Sequence, residues 1–191
     1  MGLLLRRERI QEGLKVRDLL FLLKALPLNA VGRNRGWMGE GRFQEYDHDG
    51  WTGEVRRDLA KGFGERRLKG LREEILSAKE RVLAKGRHRV VVLEFETAEG
   101  KLEVAVKAFG KQSGWKDHYD RVRGSKAARS FAAACFLQQH EVGTPAPFGY
   151  FDRWEGGRLV ESYYVSEYLK GLKSVRDELK KIYQQHGPAD L

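Results

Sequence analysis

Two runs of alternating residues, separated by a glycine-containing turn, most constrain the fold of this chain. Residues 89–96 (RVVVLEFE) and 102–109 (LEVAVKAF) are rich in valine, and the segment 98–101 (AEGK) between them supplies a glycine for a tight turn. A shorter apolar run at 81–84 (RVLA) precedes them across a second turn at 85–87 (KGR). We therefore predict three antiparallel strands joined by two turns.

A helix is predicted after these strands. Ser125 can cap a helix that runs to His140, because a serine hydroxyl accepts a hydrogen bond from a backbone N–H of the first turn. Gly143 and Pro145 follow and stop the pattern. Apolar residues, among them Cys135, recur along one side of this helix. We predict that the cysteine is a core residue.

The last part of the chain predicts two more strands and a second helix. Residues 148–152 and 159–169 have the composition of strands, and the segment 155–157 (EGG) between them is typical of a turn. Residues 172–185 predict a polar helix. The predicted order is three strands, a helix, two strands and a helix.

The first 79 residues predict helices around a loop. Residues 6–26 place leucine and isoleucine at helical spacing until Pro27, which indicates an amphipathic helix. Residues 31–53 are rich in Gly, Asn and Asp with interspersed aromatic residues, which predicts a loop held by aromatic anchors. Residues 54–79 have helical periodicity interrupted by glycines, which predicts one broken helix or two short ones.

These elements predict an α+β fold. Its centre is an antiparallel sheet of about five strands with one packed helix, preceded by a helical N-terminal extension. The predicted division is an amphipathic helix and aromatic loop at 1–53, a sheet domain with a helical lead-in at 54–170, and the start of a further helix at 171–191. An order of three strands, helix and two strands is that of the small lobe of a protein kinase.

The charge of the chain is positive and unevenly distributed. Lys and Arg total 36 against 27 Asp and Glu, and residues 1–90 carry 21 of the basic and 13 of the acidic residues. Such a field attracts nucleic acid, an anionic membrane face or a phosphorylated glycolipid, although a solvated surface explains it equally well. One cysteine and five scattered histidines predict neither a disulfide nor a structural metal.

No segment predicts a membrane span. The apolar run at 19–23 is far shorter than the roughly 20 residues that cross a bilayer. We predict a cytoplasmic protein, with the helix at 6–26 either packed on a protein surface or lying on the inner membrane face.

One lysine stands at the place where a kinase binds phosphate. The third predicted strand contains Val104-Ala105-Val106-Lys107, similar to the Val-Ala-Ile-Lys signature of kinases. ATP carries charge that must be neutralised in a largely dry cleft, and a strand fixes a cation better than a loop. Lys107 is therefore the candidate ligand of the α- and β-phosphates, although an edge-strand lysine between valines also occurs in unrelated sheets.

Longer segments resemble one family of kinases. They are 124–131 (GSKAARSF), 142–147 (VGTPAP) and 153–169 (RWEGGRLVESYYVSEYL), with the lead-in 50–53 (GWTG) and 57–59 (RDL). These segments are similar to sequences of the bacterial lipopolysaccharide core kinases, which phosphorylate heptose or Kdo sugars. The resemblance covers about residues 50–170.

The resemblance implies a set of ATP-binding residues. Ser166 to Leu169 would connect to the large lobe, with Ser166 as gatekeeper. The backbone carbonyl of Glu167 and the amide of Leu169 would bond the adenine edge. The turn at 85–88 (KGRH), with Gly86 and Arg87, would cover the phosphates. It has one glycine where protein kinases have three, and a hairpin turn with solvated charges is the alternative.

The sequence departs from the kinase pattern in two ways. No acidic residue occurs from Arg121 to His140, where kinases carry the glutamate that pairs with the strand lysine. The alternatives for Lys107, all left open by the sequence, are Asp117, Asp120, Glu141, Ser130 or a backbone group. No His-Arg-Asp or Asp-Phe-Gly motif is present either. We therefore expect no phosphate transfer by this chain alone, and Mg²⁺ binding only if a large lobe is supplied.

Three functional hypotheses follow. The first is the ATP-binding lobe of a sugar kinase that meets phosphorylated glycolipid at the inner membrane, with the large lobe supplied elsewhere. The second is a kinase-like regulatory or scaffold module that binds a protein partner or forms a homodimer. The third is an RNA-binding protein, for which Trp, Tyr and Arg are plentiful but form no stacking motif. Nucleic acid is therefore not the expected partner.

Overall fold

The computed structural model describes residues 41–79, 81–84, 88–97, 100–110 and 123–171. Within these ranges the fold is α+β, with one seven-stranded antiparallel sheet in the order β1-β2-β6-β7-β5-β4-β3. The elements are β1 (Phe43–His48), β2 (Trp51–Arg56), a 3₁₀ helix (Arg57–Phe63), α1 (Glu65–Ser77), β3 (Val82–Ala84), β4 (His88–Thr97), β5 (Gly100–Phe109), α2 (Lys126–Gln139), β6 (Pro147–Glu155) and β7 (Arg158–Glu167).

The five predicted strands are confirmed as β3 to β7. Strands β4 and β5 pair without interruption from His88 opposite Phe109 to Thr97 opposite Gly100. Gly100 has a φ of 118°, which only glycine adopts without strain. Strands β6 and β7 form the second hairpin, and β7 joins the two hairpins by pairing with β5.

The predicted number of strands is wrong, because the sheet contains a further hairpin. Residues 43–48 and 51–56 are strands β1 and β2, so the loop predicted for 31–53 is wrong over residues 43–53. Asp49 and Gly50 have φ values of 51° and 78° and form a two-residue turn between the paired residues His48 and Trp51. Two consecutive positive φ angles are those of a type I′ turn, whose twist matches that of a hairpin.

The helical lead-in is shorter than predicted. Residues 54–56 belong to β2, and the two short helices begin only after them, as the 3₁₀ helix and α1. The predicted helices at 6–26 and 172–185 and the turn at 85–87 lie outside the described residues.

One face of the sheet packs against the 3₁₀ helix and α1 and forms the main core. The aromatic rings of Phe63 and Phe95 lie 4.5 Å apart, and Phe63 stacks on Phe151 at 4.9 Å. Val104 and Val106 of β5 are fully buried on this face. Because side chains alternate along a strand, the other side chains of β5 point to the opposite face.

Helix α2 covers part of that opposite face. Ser125 caps it as predicted, since its hydroxyl accepts a hydrogen bond from the Ala128 amide at 2.9 Å. Phe131 of α2 packs on Tyr150 of β6, with ring centroids 5.4 Å apart. Cys135 is buried on the same helix, which confirms its predicted place in the core. The sheet therefore has helices on both faces, where the sequence predicted one packed helix.

Candidate functional site

Lys107 lies on the face of the sheet that α2 covers. It pairs with Tyr164 of β7, and Tyr164 pairs with Tyr150 of β6. Directly opposed residues of antiparallel strands share a face, and Tyr150 contacts Phe131 of α2. The lysine is half-buried. Its strand, β5, lies two strands away from β6, which carries the Tyr150 ring that contacts α2. The strand therefore presents its ammonium group to the space beside α2.

Ser166 lies on the same face, close to Lys107. It pairs with Ala105, which is two residues before the lysine, so the serine is the diagonal neighbour of Lys107. Ser166 is buried, and its hydroxyl donates a long hydrogen bond of 3.4 Å to the Glu167 carbonyl. The structure thus brings together the predicted phosphate ligand and the predicted gatekeeper.

Tyr164 lies directly opposite Lys107 and two residues before Ser166 on β7. Burial raises the pKa of its phenol well above the ordinary value, and the nearby Cys135 adds to this increase. A hydrogen bond with the Ser166 side chain acts in the opposite direction on the same pKa. The phenol therefore stays protonated and neutral into the alkaline range.

Glu167 is attached to the segment that leads into β6. Its amide donates to the Ala146 carbonyl at 2.8 Å, and its carboxylate accepts a hydrogen bond from the Ala146 amide at 3.2 Å. The sequence predicted a role for the backbone of Glu167 but none for its side chain. Leu169 follows the end of β7 and is half-buried. The strand end from Ser166 to Leu169 is thus fixed on one side by Ala146.

The predicted phosphate-covering residues Gly86 and Arg87 lie outside the described residues. The residue that follows them, His88, opens β4 and pairs directly with Phe109, the last residue of β5. Phe109 is two residues from Lys107 and so lies on the same face. His88 and Phe109 therefore lie at the end of the sheet toward which the Lys107 side chain extends.

Among the described residues, the partner of Lys107 is an aromatic ring. Its Nζ lies 5.0 Å from the centroid of Phe109, within the range of a cation–π contact. Among the ion pairs and hydrogen bonds of the described residues, none joins the lysine to Glu141 or Ser130, two of the partners left open by the sequence. The other two, Asp117 and Asp120, lie outside the described residues. Sequence reasoning missed Phe109, although its spacing of two residues was visible.

Two negative findings concern the described part of the chain. No group of three His, Cys, Asp or Glu side chains lies close enough there to hold a metal ion. No helix in the same part has the length and apolar content needed to cross a membrane.

Comparisons with protein-family models, with curated proteins and with solved structures found no match to this chain. The interpretation of the site therefore depends on its own geometry and on the sequence resemblance.

Proposed function

We propose that the sheet domain is the ATP-binding lobe of a lipopolysaccharide-kinase-like phosphotransferase, whose reaction is the transfer of phosphate from ATP to a sugar hydroxyl. The observation that carries the proposal is the position of Lys107. It stands on the strand before α2, on the face that α2 covers, diagonally beside Ser166. The element order from β3 to β7, with α2 between β5 and β6, supports the same proposal.

The physical role of Lys107 is charge neutralisation. The triphosphate of ATP carries several negative charges, and an ammonium group fixed by a strand compensates two of its phosphates without large reorganisation. The half-buried position of the lysine strengthens this attraction, because the effective dielectric there is lower than in bulk water. Gly86 and Arg87 would add backbone and guanidinium donors above the phosphates.

The adenine would bind at the end of β7. The carbonyl of Glu167 has a second lone pair beside its long hydrogen bond from Ser166, and the amide of Leu169 follows the strand end. The bonds between Glu167 and Ala146 hold this backbone in place. Ser166 presents a small side chain toward the base, which leaves room behind it.

Phosphate transfer needs parts beyond this domain. A general base for the sugar hydroxyl and an aspartate for Mg²⁺ belong to the His-Arg-Asp and Asp-Phe-Gly motifs of the large lobe, and this sequence contains neither motif. We therefore propose that Mg²⁺ binds only when a large lobe is present. The net charge of +9 favours a phosphorylated glycolipid at the inner membrane face as the partner.

Calorimetric titration of magnesium-free ATP into the purified protein tests the proposal. We expect saturable binding that is lost in Lys107→Ala. The matched control is Lys101→Ala, which removes an exposed lysine from the same strand, one that pairs with Glu94 at 2.7 Å. Equal binding in both variants would contradict the role of Lys107. A folded wild-type protein that binds no ATP would favour the regulatory or scaffold hypothesis.

A further inference from the structure

Three side chains form a row where β5 ends and β4 begins. The ring centroids of His88 and Phe109 are 4.9 Å apart. The ammonium nitrogen of Lys107 lies 5.0 Å from the centroid of the Phe109 ring. His88 and Phe109 are direct partners across the two strands, and Lys107 precedes Phe109 by two residues. All three therefore lie on the α2 face, and we refer to them as the His88–Phe109–Lys107 stack.

The ammonium of Lys107 differs from neighbouring cations of the sheet. Lys101 pairs with Glu94 on the neighbouring strand β4, and Arg81, one residue before β3, pairs with Glu103 of β5. Lys107 has Phe109 as its partner among the described residues, and helix α2 carries no acidic residue that faces it. Among the described residues, the Lys107 ammonium therefore contacts a ring on its own strand, and no carboxylate of α2 pairs with it.

We propose that Phe109 is the positioning residue of Lys107, holding its ammonium toward the phosphates of a bound nucleotide. This inference rests on the proposed ATP-binding function. The contact draws the lysine toward the end of β5, beside His88 at the start of β4. The ring of His88 packs on Phe109 and limits its movement.

A ring and a carboxylate hold an ammonium in different ways. A carboxylate accepts N–H donors of the lysine and cancels its charge, whereas the face of a ring attracts the cation through its quadrupole. No side chain of the described residues accepts a hydrogen bond from Lys107, so its three N–H donors can reach phosphate oxygens. The site also keeps its positive charge before the nucleotide arrives, which favours encounter with a polyanion.

Titrations of magnesium-free ATP and of adenosine into four proteins test this role. The variants are Phe109→Leu, which removes the ring, Phe109→Tyr, which keeps it, and Phe43→Leu as a control. Phe43 is also half-buried and packs on Phe131, but it lies on β1, four strands away from β5 in the sheet. We expect Phe109→Leu to weaken ATP binding about two- to fivefold. Adenosine should bind as in the wild type, and the other two variants should keep the wild-type affinity for ATP.

Two results of these titrations would overturn the positioning role of Phe109 and leave the ATP-binding proposal in place. One is wild-type ATP affinity in Phe109→Leu. The other is an equal loss for ATP and adenosine, since the ring would then support the pocket as a whole. Wild-type protein that binds neither ligand would instead overturn the ATP-binding proposal and, with it, any positioning role in nucleotide binding.

A second measurement examines the contact without any nucleotide. Lysines can be dimethylated with ¹³C-formaldehyde, which preserves their charge, and Lys107→Arg assigns the signal of Lys107. We expect the ring current of Phe109 to shift this methyl signal upfield from those of exposed lysines. In Phe109→Leu the signal should return to the position of exposed lysines. A signal that is the same in both proteins would overturn the stack and the positioning role together.

Discussion

The carbonyl oxygen of Tyr150 occupies the space that a side chain at Gly53 would need. A Cβ built on Gly53 overlaps this oxygen, and one built on Gly149 would lie 2.6 Å from the carbonyl oxygen of Glu54. The two glycines lie on β2 and β6, which pair along their length. The first hairpin therefore joins the rest of the sheet only because both strands carry glycine at these positions.

Gly53→Ala is predicted to destabilise the protein by about 3 kcal/mol, the upper end of the cost of overpacking. The added Cβ would clash with backbone atoms of β6, which cannot move away as the end of a flexible side chain can. Gly70→Ala is the control, because Gly70 is exposed on α1 with open space around it. Alanine there should stabilise the helix by about 1 kcal/mol. Urea unfolding followed by tryptophan fluorescence measures both changes, and a loss of equal size in the two variants would contradict the steric argument.

Ser125→Ala is predicted to lower the free energy of unfolding by about 1 kcal/mol. The serine is buried, and its hydroxyl satisfies the Ala128 amide in the first turn of α2. Ser77→Ala provides the control, because the Ser77 hydroxyl is exposed and only donates to the Glu74 carbonyl at the end of α1. That change should cost less than about 0.5 kcal/mol. Equal losses of unfolding free energy in the two variants would contradict the capping role of Ser125.

Stability is predicted to fall as the pH rises above 9. Burial, with a smaller effect from the Glu54 carboxylate, raises the pKa of the Cys135 thiol from 9.0 to about 12. Between these values the unfolded chain releases the thiol proton and the folded protein keeps it, so alkali favours unfolding. The slope for one such group is at most about 1.4 kcal/mol per pH unit.

The control for this pH dependence is Cys135→Ala. Urea unfolding at pH 8, 9 and 10 should give a shallower decline for this variant than for the wild type. A slope that is unchanged by the substitution would show that the thiol does not contribute. A slope that remains in the variant above pH 10 should include contributions from Tyr163 and Tyr164, because burial raises the pKa of both phenols.

Local signals in the sequence predicted the central hairpins and helix α2. Alternating valines with Gly100 at the turn placed β4 and β5, and Ser125 placed the start of α2 within one residue. Each of these signals is complete within about ten residues, so it does not depend on distant contacts.

The first hairpin was missed because its alternation is weak. Strand β1 buries only Tyr46, and its other side chains are half-buried or exposed. Aspartate and glycine at positions 49 and 50 are the typical residues of a type I′ turn, but the surrounding glycines and aspartates favoured a loop. Glycine also has a low propensity for strands, so Gly53 argued against one. Glycine is needed there because the carbonyl of Tyr150, far away in the sequence, leaves no room for a Cβ.

Phe109, the partner of Lys107 among the described residues, was not identified from the sequence. The kinase pattern directs attention to an acidic residue on the following helix, and α2 has none. Phe109 lies two residues from Lys107 on the same strand, and the His88 ring packs on it because the register of β4 and β5 places these two residues opposite each other. The hydrogen bond of the Glu167 carboxylate to Ala146 likewise joins residues 21 positions apart.

The most direct test of the account is the difference between the affinities for ATP and adenosine, measured by calorimetry in the wild type and in Lys107→Ala. The account predicts that the wild type binds ATP more tightly than adenosine and that Lys107→Ala brings the two affinities together, with adenosine binding unchanged. A preference for ATP that survives in Lys107→Ala would contradict it, as would a folded wild-type protein that binds neither ligand.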